Sequence, residues 1–417
     1  MTFAPKMKFK FNSMAAGLLA LAAVIAACSK EGGTERTDLP SWATNPDVPV
    51  PIVFGYGFGG DVKTKAAITS LDSLEFGVLG VDTSKGVGGD SLIIVDKVAR
   101  GIGTDGTAEF FLPSTNAKVT YYYPLYTYSP HYYTFYAWHT SNVRAKDSTS
   151  VFTPTRSGST YIKTFPVDTT DILWAKAVAD SFAVDGIYYK GFNTSYQRAA
   201  RKAYPGTWLS SYAPKFTFKH LTTALHFNIV AEDSDAASSF ISSGGDTLVT
   251  VTDLRIWSTS AEGIPTSATL DLMSGELTPG DPDGNWEQAP NGNWDADSLV
   301  VSGSPLLPRY LASGVNEYGS GVFLVPTTDA LRVKFTIKAP SLDGGYAEFN
   351  PHDNTSLGGF ALNAPTPAGF EAGKSYTFRI TVRSLEEIRI VLELVEWEDG
   401  FSEEDVENDN DVITVIG

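Results

Sequence analysis

The sequence predicts an all-β protein, and three observations support this fold class. Tyr, Phe, Thr and Val are frequent, and these residue types favour strands. Gly and Pro occur 38 and 23 times and interrupt the chain at short intervals, as turns do in all-β folds. Few windows repeat apolar residues at the helical period, whereas strand-length windows of alternating apolar and polar residues follow one another along the chain.

Composition also divides the chain. Residues 1–27 predict a signal peptide, and residues 28–48 predict a flexible tether because they are polar and spaced by Pro and Gly. The remainder suffices for two or three domains of ordinary size. We predict a first domain at 49–212 and a second at 213–398, since the stretch PGTWLSSYAP precedes a new alternating run that begins at Phe216.

The N-terminal residues have the layout of a secretory signal. Three lysines within the first ten residues precede an apolar run from Met14 to Ala27, which is too short to span a bilayer stably. The run ends in Ile-Ala-Ala-Cys, which resembles the lipobox of bacterial lipoproteins, so Cys28 is the predicted lipidation site. Cys28 is the only cysteine, and the chain therefore has no intramolecular disulfide.

The segment PVPIVFGYGF, residues 49–58, predicts the first strand. Its large apolar side chains alternate with small residues, so one face is apolar and the other is nearly bare. Two prolines at the entry of the strand, which lack an N–H donor, favour an edge position in the sheet. The apolar face consists of Ile52, Phe54, Tyr56 and Phe58.

A basic connection, DVKTKAAITS, follows the first strand. Residues 49–65 therefore contain the first strand and the beginning of this connection. Proteolysis concentrates in exposed loops of small and polar residues, so a trypsin-like protease could cut at Lys63 or Lys65. The same lysines fit an ordinary solvated loop. On composition alone, the second interpretation is the simpler one.

The net charge of −17 excludes some classes of partner. Nucleic acid and anionic membrane surfaces repel an acidic chain, so neither is expected to bind it. Arg198, Arg201 and Lys202 lie among tyrosines, a pattern also found at nucleic-acid sites. Three cations in one predicted loop are better explained as solvated charges or as a second cleavage site.

The sequence predicts no catalytic residue, no cofactor and no metal site. Both matches to G-x-G-x-x-G, at residues 55–60 and 101–106, lack the helix that a dinucleotide site needs and are interpreted as turns. The five histidines show no metal-ligand spacing, and the sequence has no G-x-S-x-G elbow. Carboxylates are dense in the loop Gly280–Ser298, but its glycine is misplaced for an EF-hand, so we prefer a solvated hairpin tip to calcium binding.

The stretch Tyr121–Ser141 is the most aromatic part of the chain. Aromatic rings can stack on sugars, which would suit a surface glycan-binding lipoprotein. Aromatic residues on paired strands more often pack against one another. Solvent exposure of four side chains separates the two interpretations: Tyr126, Tyr132, Tyr133 and Trp138.

Residues 399–417 form an acidic, turn-rich linker that ends in a β-prone segment. A linker of about 14 residues can extend roughly 45 Å, far enough to place that segment in a neighbouring molecule. The segment can equally pair within its own domain, and the sequence leaves both arrangements open. Its apolar residues are Val412, Ile413, Val415 and Ile416.

Several motifs follow one another along nearly all of the sequence after residue 27. They are the lipobox, KTKAAI followed by LEFGV, YYTFYAWHTS, DILWAKA, FTFKHLTTALHFNIV, GVFLVP, FEAGKSYTFRITV and the closing VEWEDG. In this order they resemble the fimbrillin family of the Bacteroidetes, the type V pilins. This resemblance implies two transthyretin-like β-sandwich domains in tandem and export as a lipoprotein to the outer membrane and cell surface.

The resemblance also implies a mode of assembly. A trypsin-like protease would cut after Lys65 and leave Ala66 as the new N-terminus, with Lys63 or Arg36 as alternative sites. Loss of the first strand would expose unpaired backbone groups and an apolar groove. A strand from another pilin subunit, such as residues 412–416, could fill this groove by β-augmentation.

The expected partners follow from this assembly. They are other pilin subunits, the processing protease, and the outer membrane through the lipid before cleavage. A tip adhesin would also bind a host or bacterial surface ligand. A final segment that pairs within its own domain would favour a tip or anchor role over a shaft role.

Overall fold

The computed structural model describes residues 39–58, 74–84, 93–102, 107–112, 115–125, 131–140, 155–167, 171–243, 245, 248–259, 263–280, 299–310, 316–340, 346–349, 359–364, 366–383, 387–396 and 413–416. Strands dominate these residues, which confirms the all-β prediction. Within the same ranges, no helix combines the length and the apolar character needed to cross a membrane.

Strands outnumber helices in the described residues of both halves of the chain. The first half contains α1 (Ser41–Thr44), β1 (Phe54–Phe58), β2 (Glu75–Asp82), β3 (Ile93–Ile102), β4 (Thr107–Leu112), β5 (Ala117–Val119), β6 (Tyr133–His139), β7 (Thr155–Ser157), β8 (Thr160–Pro166), β9 (Leu173–Ala177), β10 (Phe182–Val184), β11 (Ile187–Tyr189), α2 (Thr194–Ala203), α3 (Trp208–Ser211) and β12 (Lys215–His220). The second half contains β13 (Thr223–Ala231), α4 (Ser234–Ser239), β14 (Thr250–Ser258), β15 (Ser267–Asp271), β16 (Leu277–Pro279), β17 (Leu299–Val300), β18 (Val322–Leu324), β19 (Leu331–Pro340), β20 (Tyr346–Phe349), β21 (Phe360–Leu362), β22 (Lys374–Val382), β23 (Glu387–Glu396) and β24 (Ile413–Ile416).

The first sheet has eight strands in the order β1-β12-β9-β6-β2-β3-β4-β5, and β1 pairs in addition with β4. The strands from β1 to β4 in this order therefore form a closed sheet, and β5 is attached to it through β4. Alternation decides which side chains face the interior. In β12, for example, Phe216 and Phe218 are buried, while Lys215, Thr217 and Lys219 are exposed. Apolar residues from every strand of the closed sheet fill its interior.

A four-stranded sheet, β16-β15-β8-β7, combines a hairpin from each half of the chain. β8 and β15 pair antiparallel over five residue pairs. This sheet covers the outer face of the closed sheet, where Trp138 and Trp174 pack with Tyr161 and Phe165 of β8 and with Leu270 of β15. The two halves of the chain are therefore joined through a shared sheet and a shared apolar cluster.

The second half folds as a two-layered β-sandwich. One layer is the sheet β18-β13-β22-β23-β24, and the other is β17-β14-β19-β20 with β21 paired to β19. Their inward residues form a single core. In β22, alternate residues point inward and are buried, namely Tyr376, Phe378, Ile380 and Val382. This architecture agrees with the sandwich that the resemblance implies.

The first sheet extends beyond the predicted domain boundary. β12 lies after residue 213 yet pairs with β1 and β9, so a division at 212/213 falls one strand too early for this sheet. The chain enters the second half between His220 and Thr223. Local alternation cannot show this, because β12 and β13 have similar strand patterns and differ only in their long-range partners.

The predicted loop that carries Arg198, Arg201 and Lys202 is in fact helix α2. Asn193 caps its N-terminus, where the side-chain oxygen accepts a hydrogen bond from the backbone N–H of Tyr196. Two of the cations lie in the last turn, where positive charge complements the helix dipole. A helix places these cations on a defined surface rather than along a solvated loop.

Candidate functional site

The first strand supplies the centre of the first core. The ring of Phe54 lies edge-on to the rings of Phe110 and Phe135, with centroids 5.2 Å apart in both pairs. It stacks on Phe216 at 4.9 Å. Such pairs add to the stability that burial supplies. Four side chains of residues 49–58 are buried in this core: Val50, Ile52, Phe54 and Tyr56.

β1 lies between two strands, and the expected edge position is wrong. On one side it runs parallel to β12, in a register from Gly55 opposite Lys215 to Phe58 opposite Phe218. On the other side it pairs antiparallel with β4 at two residue pairs. β1 is therefore the strand that closes the first sheet.

The prolines at the entry of β1 are compatible with this pairing. Pro51 forms a β-bridge to the residues after β5. The N–H of Ile52 donates a hydrogen bond to the carbonyl of Tyr121 at 2.8 Å, and the N–H of Tyr123 donates to the carbonyl of Val50 at 2.9 Å. Because the flanking residues make the hydrogen bonds, the residue between them needs no N–H. Proline at this position therefore does not require an edge strand.

Helix α2 holds the residues that lead into β1. The guanidinium of Arg198 donates hydrogen bonds from Nε to the carbonyl of Trp42 at 2.9 Å and from Nη2 to the carbonyls of Pro46 and Val48 at 2.8 and 2.7 Å. These acceptors belong to the segment predicted to be a flexible tether. From residue 39 onward that expectation is wrong, because the segment is fixed to the fold by a long-range contact.

Aromatic contacts reinforce this hold. The rings of Trp42 and Trp208 lie 5.4 Å apart at an interplanar angle of 50°. The indole N–H of Trp208 donates to Oε1 of Gln197 at 2.7 Å, and the guanidinium of Arg201 lies 5.3 Å from the Trp208 ring centroid. Helices α2 and α3 thus present a defined surface to the N-terminal segment, which we call the latch surface: Arg198, Arg201 and Trp208.

The guanidinium of Arg198 keeps its positive charge although it is partly buried. Burial lowers the pKa of its guanidinium, and the nearby carboxylate of Asp47 acts in the opposite direction. An arginine has an ordinary pKa far above 7, so the group stays charged. Hydrogen bonds to carbonyls replace the water that the guanidinium loses, because charge-assisted hydrogen bonds are stronger than neutral ones.

Sequence patterns do not identify the latch surface. The available local signal is the Asn193 cap followed by good helix formers, and this signal predicts a helix that carries three cations. No local pattern connects that helix to Trp42. The contact joins residues about 150 positions apart, and only the closed sheet brings them together.

The aromatic run is packed where the structure describes it. Tyr133 and Trp138 are buried. Tyr132 is partly exposed, with the ammonium of Lys190 lying 5.3 Å from its ring centroid. Tyr126 lies outside the described residues. The three described side chains form no exposed platform for a sugar, which favours packing over glycan binding.

The final segment pairs within its own chain. β24 runs antiparallel to β23, with Ile413 opposite Ile390 and Ile416 opposite Glu387, at one end of the five-stranded sheet. The sequence leaves two arrangements open for this segment, and the structure contains the one in which it pairs within its own domain. Val412 and the linker before it lie outside the described residues.

Several predicted sites also lie outside the described residues and stay predictions. These are the signal peptide, Cys28, Arg36, Lys63, Lys65, Ala66 and residues 281–298 of the acidic loop. Among the residues that the structure does describe, no group of three or more His, Cys, Asp or Glu side chains is arranged to hold a metal ion.

Each of the described histidines has an oxygen atom close to its Nδ1. Nδ1 lies 2.5 Å from a carboxylate oxygen in three pairs: His131 with Asp82, His220 with Asp171, and His226 with Glu317. His139 differs, because its Nδ1 lies 2.6 Å from the carbonyl oxygen of Glu75 and burial lowers its pKa. A carboxylate or carbonyl oxygen beside each of these imidazoles suits a structural role.

Comparison with known proteins gives one family match and several distant structural matches. A family model described as fimbrillin-like matches residues 75–397. A structure described as a candidate cell adhesion protein from Bacteroides uniformis is 15% identical, with 84% of this chain and 98% of that chain covered and a TM-score of 0.45. A fimbrial protein from Bacteroides vulgatus is 14% identical, with 83% and 99% covered and a TM-score of 0.44.

The fimbrial anchor protein Mfa2 from Porphyromonas gingivalis is 8% identical, with 84% of this chain and 100% of that chain covered and a TM-score of 0.26. A comparison with curated proteins gives no significant match. The structural likeness is weak at these values, whereas the family model spans most of the chain.

Proposed function

Because the chain belongs to the fimbrillin-like family, we propose that it is a structural pilin subunit of surface fimbriae that polymerises by strand exchange after its first strand is removed. Membership supports a subunit of a cell-surface appendage directly, since the family is one of fimbrial and adhesion proteins rather than a class of enzymes. We propose in addition that the chain is exported as a lipoprotein modified at Cys28 and is cut after Lys65, which leaves Ala66 first.

The position of β1 is the observation that carries strand exchange. It is the first described strand, and it closes the first sheet with a buried apolar face. A cut after β1 would therefore leave all later strands on one continuous chain. Those strands would stay paired in the order β12-β9-β6-β2-β3-β4-β5, while the closure of the sheet and the apolar face of β1 would be lost.

The burial free energy that is lost with the first strand favours binding of another strand in the groove. Removal of β1 and the residues that precede it takes four large side chains out of the core: Val50, Ile52, Phe54 and Tyr56. At about 1.5–3 kcal/mol each, their burial contributes on the order of 6–12 kcal/mol. A whole domain is stable by only about 5–15 kcal/mol. A processed subunit therefore needs another strand in this place, and that need drives polymerisation.

We propose residues 412–416 of another subunit as the incoming strand. Ile413 and Val415 lie on one face of an extended segment, at the same spacing as Phe54 and Tyr56. In this structure the segment is β24, at the end of its sheet. A terminal strand can leave its sheet without breaking any pairing between the other strands.

Self-pairing of β24 favours a second candidate function, that of a tip or anchor subunit. Such a subunit would receive a strand without donating one, and a tip adhesin would also bind a host or bacterial surface ligand. Deletion of residues 411–417 separates the candidates. A shaft subunit would lose elongation, whereas a tip subunit would be incorporated as before.

Limited proteolysis of a protein comprising residues 29–417 tests the main proposal. Trypsin is expected to create a new N-terminus at Ala66 and to produce ladders of oligomers on a denaturing gel run without boiling. Lys65→Gln is the control and should stay uncut at this bond. A different N-terminus, or monomers alone after complete cleavage, would contradict the proposal.

A further inference from the structure

We propose that the latch surface is the docking site for the acidic linker, residues 399–411, of a second copy of this chain. The chain's own residues 42–48 occupy this surface before processing, and the linker would take their place afterwards. The inference rests on the proposed strand exchange. It adds a second contact between subunits, outside the groove that β1 leaves.

The present occupant shows what the latch surface binds. The hydrogen bonds of Arg198 to the N-terminal segment all go to backbone carbonyls. Every sequence has carbonyls, so the guanidinium can hold a different extended segment in the same way. Two other contacts show which residue types the latch surface prefers in its occupant. The ring of Trp42 packs against Trp208, and the carboxylate of Asp47 lies near Arg198.

Processing would vacate the latch surface together with the groove. Residues 42–48 precede β1, so any cut after Phe58 releases both. Trp208 would lose the indole ring that it packs against, and Arg198 would lose carbonyl acceptors at a partly buried place. A cation that loses its acceptors while partly buried is costly. The vacated surface therefore favours a segment that brings carbonyls, negative charge and an aromatic ring.

The acidic linker has all three features. Residues 399–411 include seven carboxylates, no Lys or Arg, and one aromatic residue, Phe401. The receiving surface is positive, because Arg198, Arg201 and Lys202 follow the i, i+3, i+4 spacing that places side chains on one face of α2. Charge complementarity of this kind steers two molecules together and fixes their orientation.

The spacing along the chain also matches. Trp42 precedes Phe54 by twelve residues, and Phe401 precedes Ile413 by the same number. β1 runs parallel to β12. If the incoming strand keeps that direction, Ile413 replaces Phe54 and the linker follows the path of residues 42–53, then Phe401 reaches Trp208. The docking inference therefore specifies both a direction and a register for the incoming strand.

Peptide competition on the whole chain tests this inference. A site-specific protease sequence inserted between Lys65 and Ala66 allows the protein to be nicked while both pieces stay together. A synthetic peptide of residues 399–417 is then added, and release of the N-terminal piece is followed by size-exclusion chromatography. A matched peptide carries Asn or Gln in place of the seven carboxylates, and a third peptide contains residues 411–417 alone.

At low salt, the acidic peptide is expected to release the N-terminal piece at a concentration about tenfold lower than the neutral peptide does. This ratio of concentrations is equivalent to ~1.4 kcal/mol. Added salt should reduce this ratio, and Arg198→Gln, which removes one of the three cations, should reduce it as well. Equal potency of the two peptides, or a ratio that is unchanged in Arg198→Gln, would overturn the docking inference and leave strand exchange intact. Failure of all three peptides to release the N-terminal piece would overturn both.

Discussion

Replacement of Phe54 by alanine measures how tightly the closed sheet holds β1. Phe54 is fully buried (0%), and its ring lies 4.9–5.2 Å from three other phenylalanine rings. A Phe→Ala change at such a site costs about 3–5 kcal/mol. Since ~1.4 kcal/mol is a factor of ten in an equilibrium constant, affinity for the first strand should fall by roughly two to four orders of magnitude.

The nicked protein provides the assay for this change. The dissociation constant of the N-terminal piece is measured by dilution and size-exclusion chromatography, with and without Phe54→Ala. Phe335→Ala is the matched control, because Phe335 is also buried but belongs to the core of the second half. The control should destabilise the sandwich without changing release of the N-terminal piece. A change of less than tenfold for Phe54→Ala would refute the idea that the buried face of β1 holds it in place.

Gly77→Ala should destabilise the first half by about 1–3 kcal/mol in urea unfolding, because overpacking is costly and an added Cβ would lie 2.2 Å from the ring of Trp138. Gly206→Ala, where an added Cβ meets nothing within 4 Å, should have little effect. Burial lowers the pKa of His139 in the folded state, so the unfolded state takes up the proton first. Stability should therefore fall as pH drops below about 6.5, by at most ~1.4 kcal/mol per pH unit, and His139→Gln should reduce this slope in urea titrations at several pH values. Deletion of residues 411–417 should abolish oligomer ladders if the chain is a shaft subunit, and unchanged ladders would exclude that role.

The sequence predicts the strands well where alternation is strong. In β12 and β22 each apolar residue of the alternating pattern is buried, because a side chain on one face of a strand has a single environment. The apolar face of the first strand follows the same rule. The family resemblance, carried by motifs spread along the chain, agrees with the match over residues 75–397.

The partners of each strand could not be predicted in the same way. The edge position expected for β1 relies on two prolines, yet the hydrogen bonds next to Pro51 come from its neighbours. The sheet shared by β8 and β15 joins residues about 105 positions apart, and no local pattern encodes such a pairing. Register between distant strands depends on the whole core, so local sequence patterns do not specify it.

The latch surface shows the same limit at the level of single residues. Arg198 has the sequence context of a solvated charge, because the chain is acidic and its neighbours are polar. Its acceptors are the carbonyls of a segment near the other end of the first half. Every residue type has a backbone carbonyl, so the sequence of that segment does not indicate the contact.

Disulfide trapping between two copies tests the central claim, that the tail of one subunit replaces β1 of another. A protein of residues 29–417 has no native cysteine. One preparation carries Lys215→Cys or Thr217→Cys, on the exposed face of the strand next to β1, and a second carries Thr414→Cys. Neighbouring strands lie about 4.8 Å apart, within the Cα separation of about 4.4–6.8 Å that a disulfide spans.

Strand exchange predicts a disulfide-linked heterodimer after cleavage at Lys65 and not before. An incoming strand that runs parallel to β12, with Ile413 in the place of Phe54, predicts that Lys215→Cys gives the higher yield. No heterodimer with either variant after complete cleavage, or the same yield from uncut protein, would contradict the account.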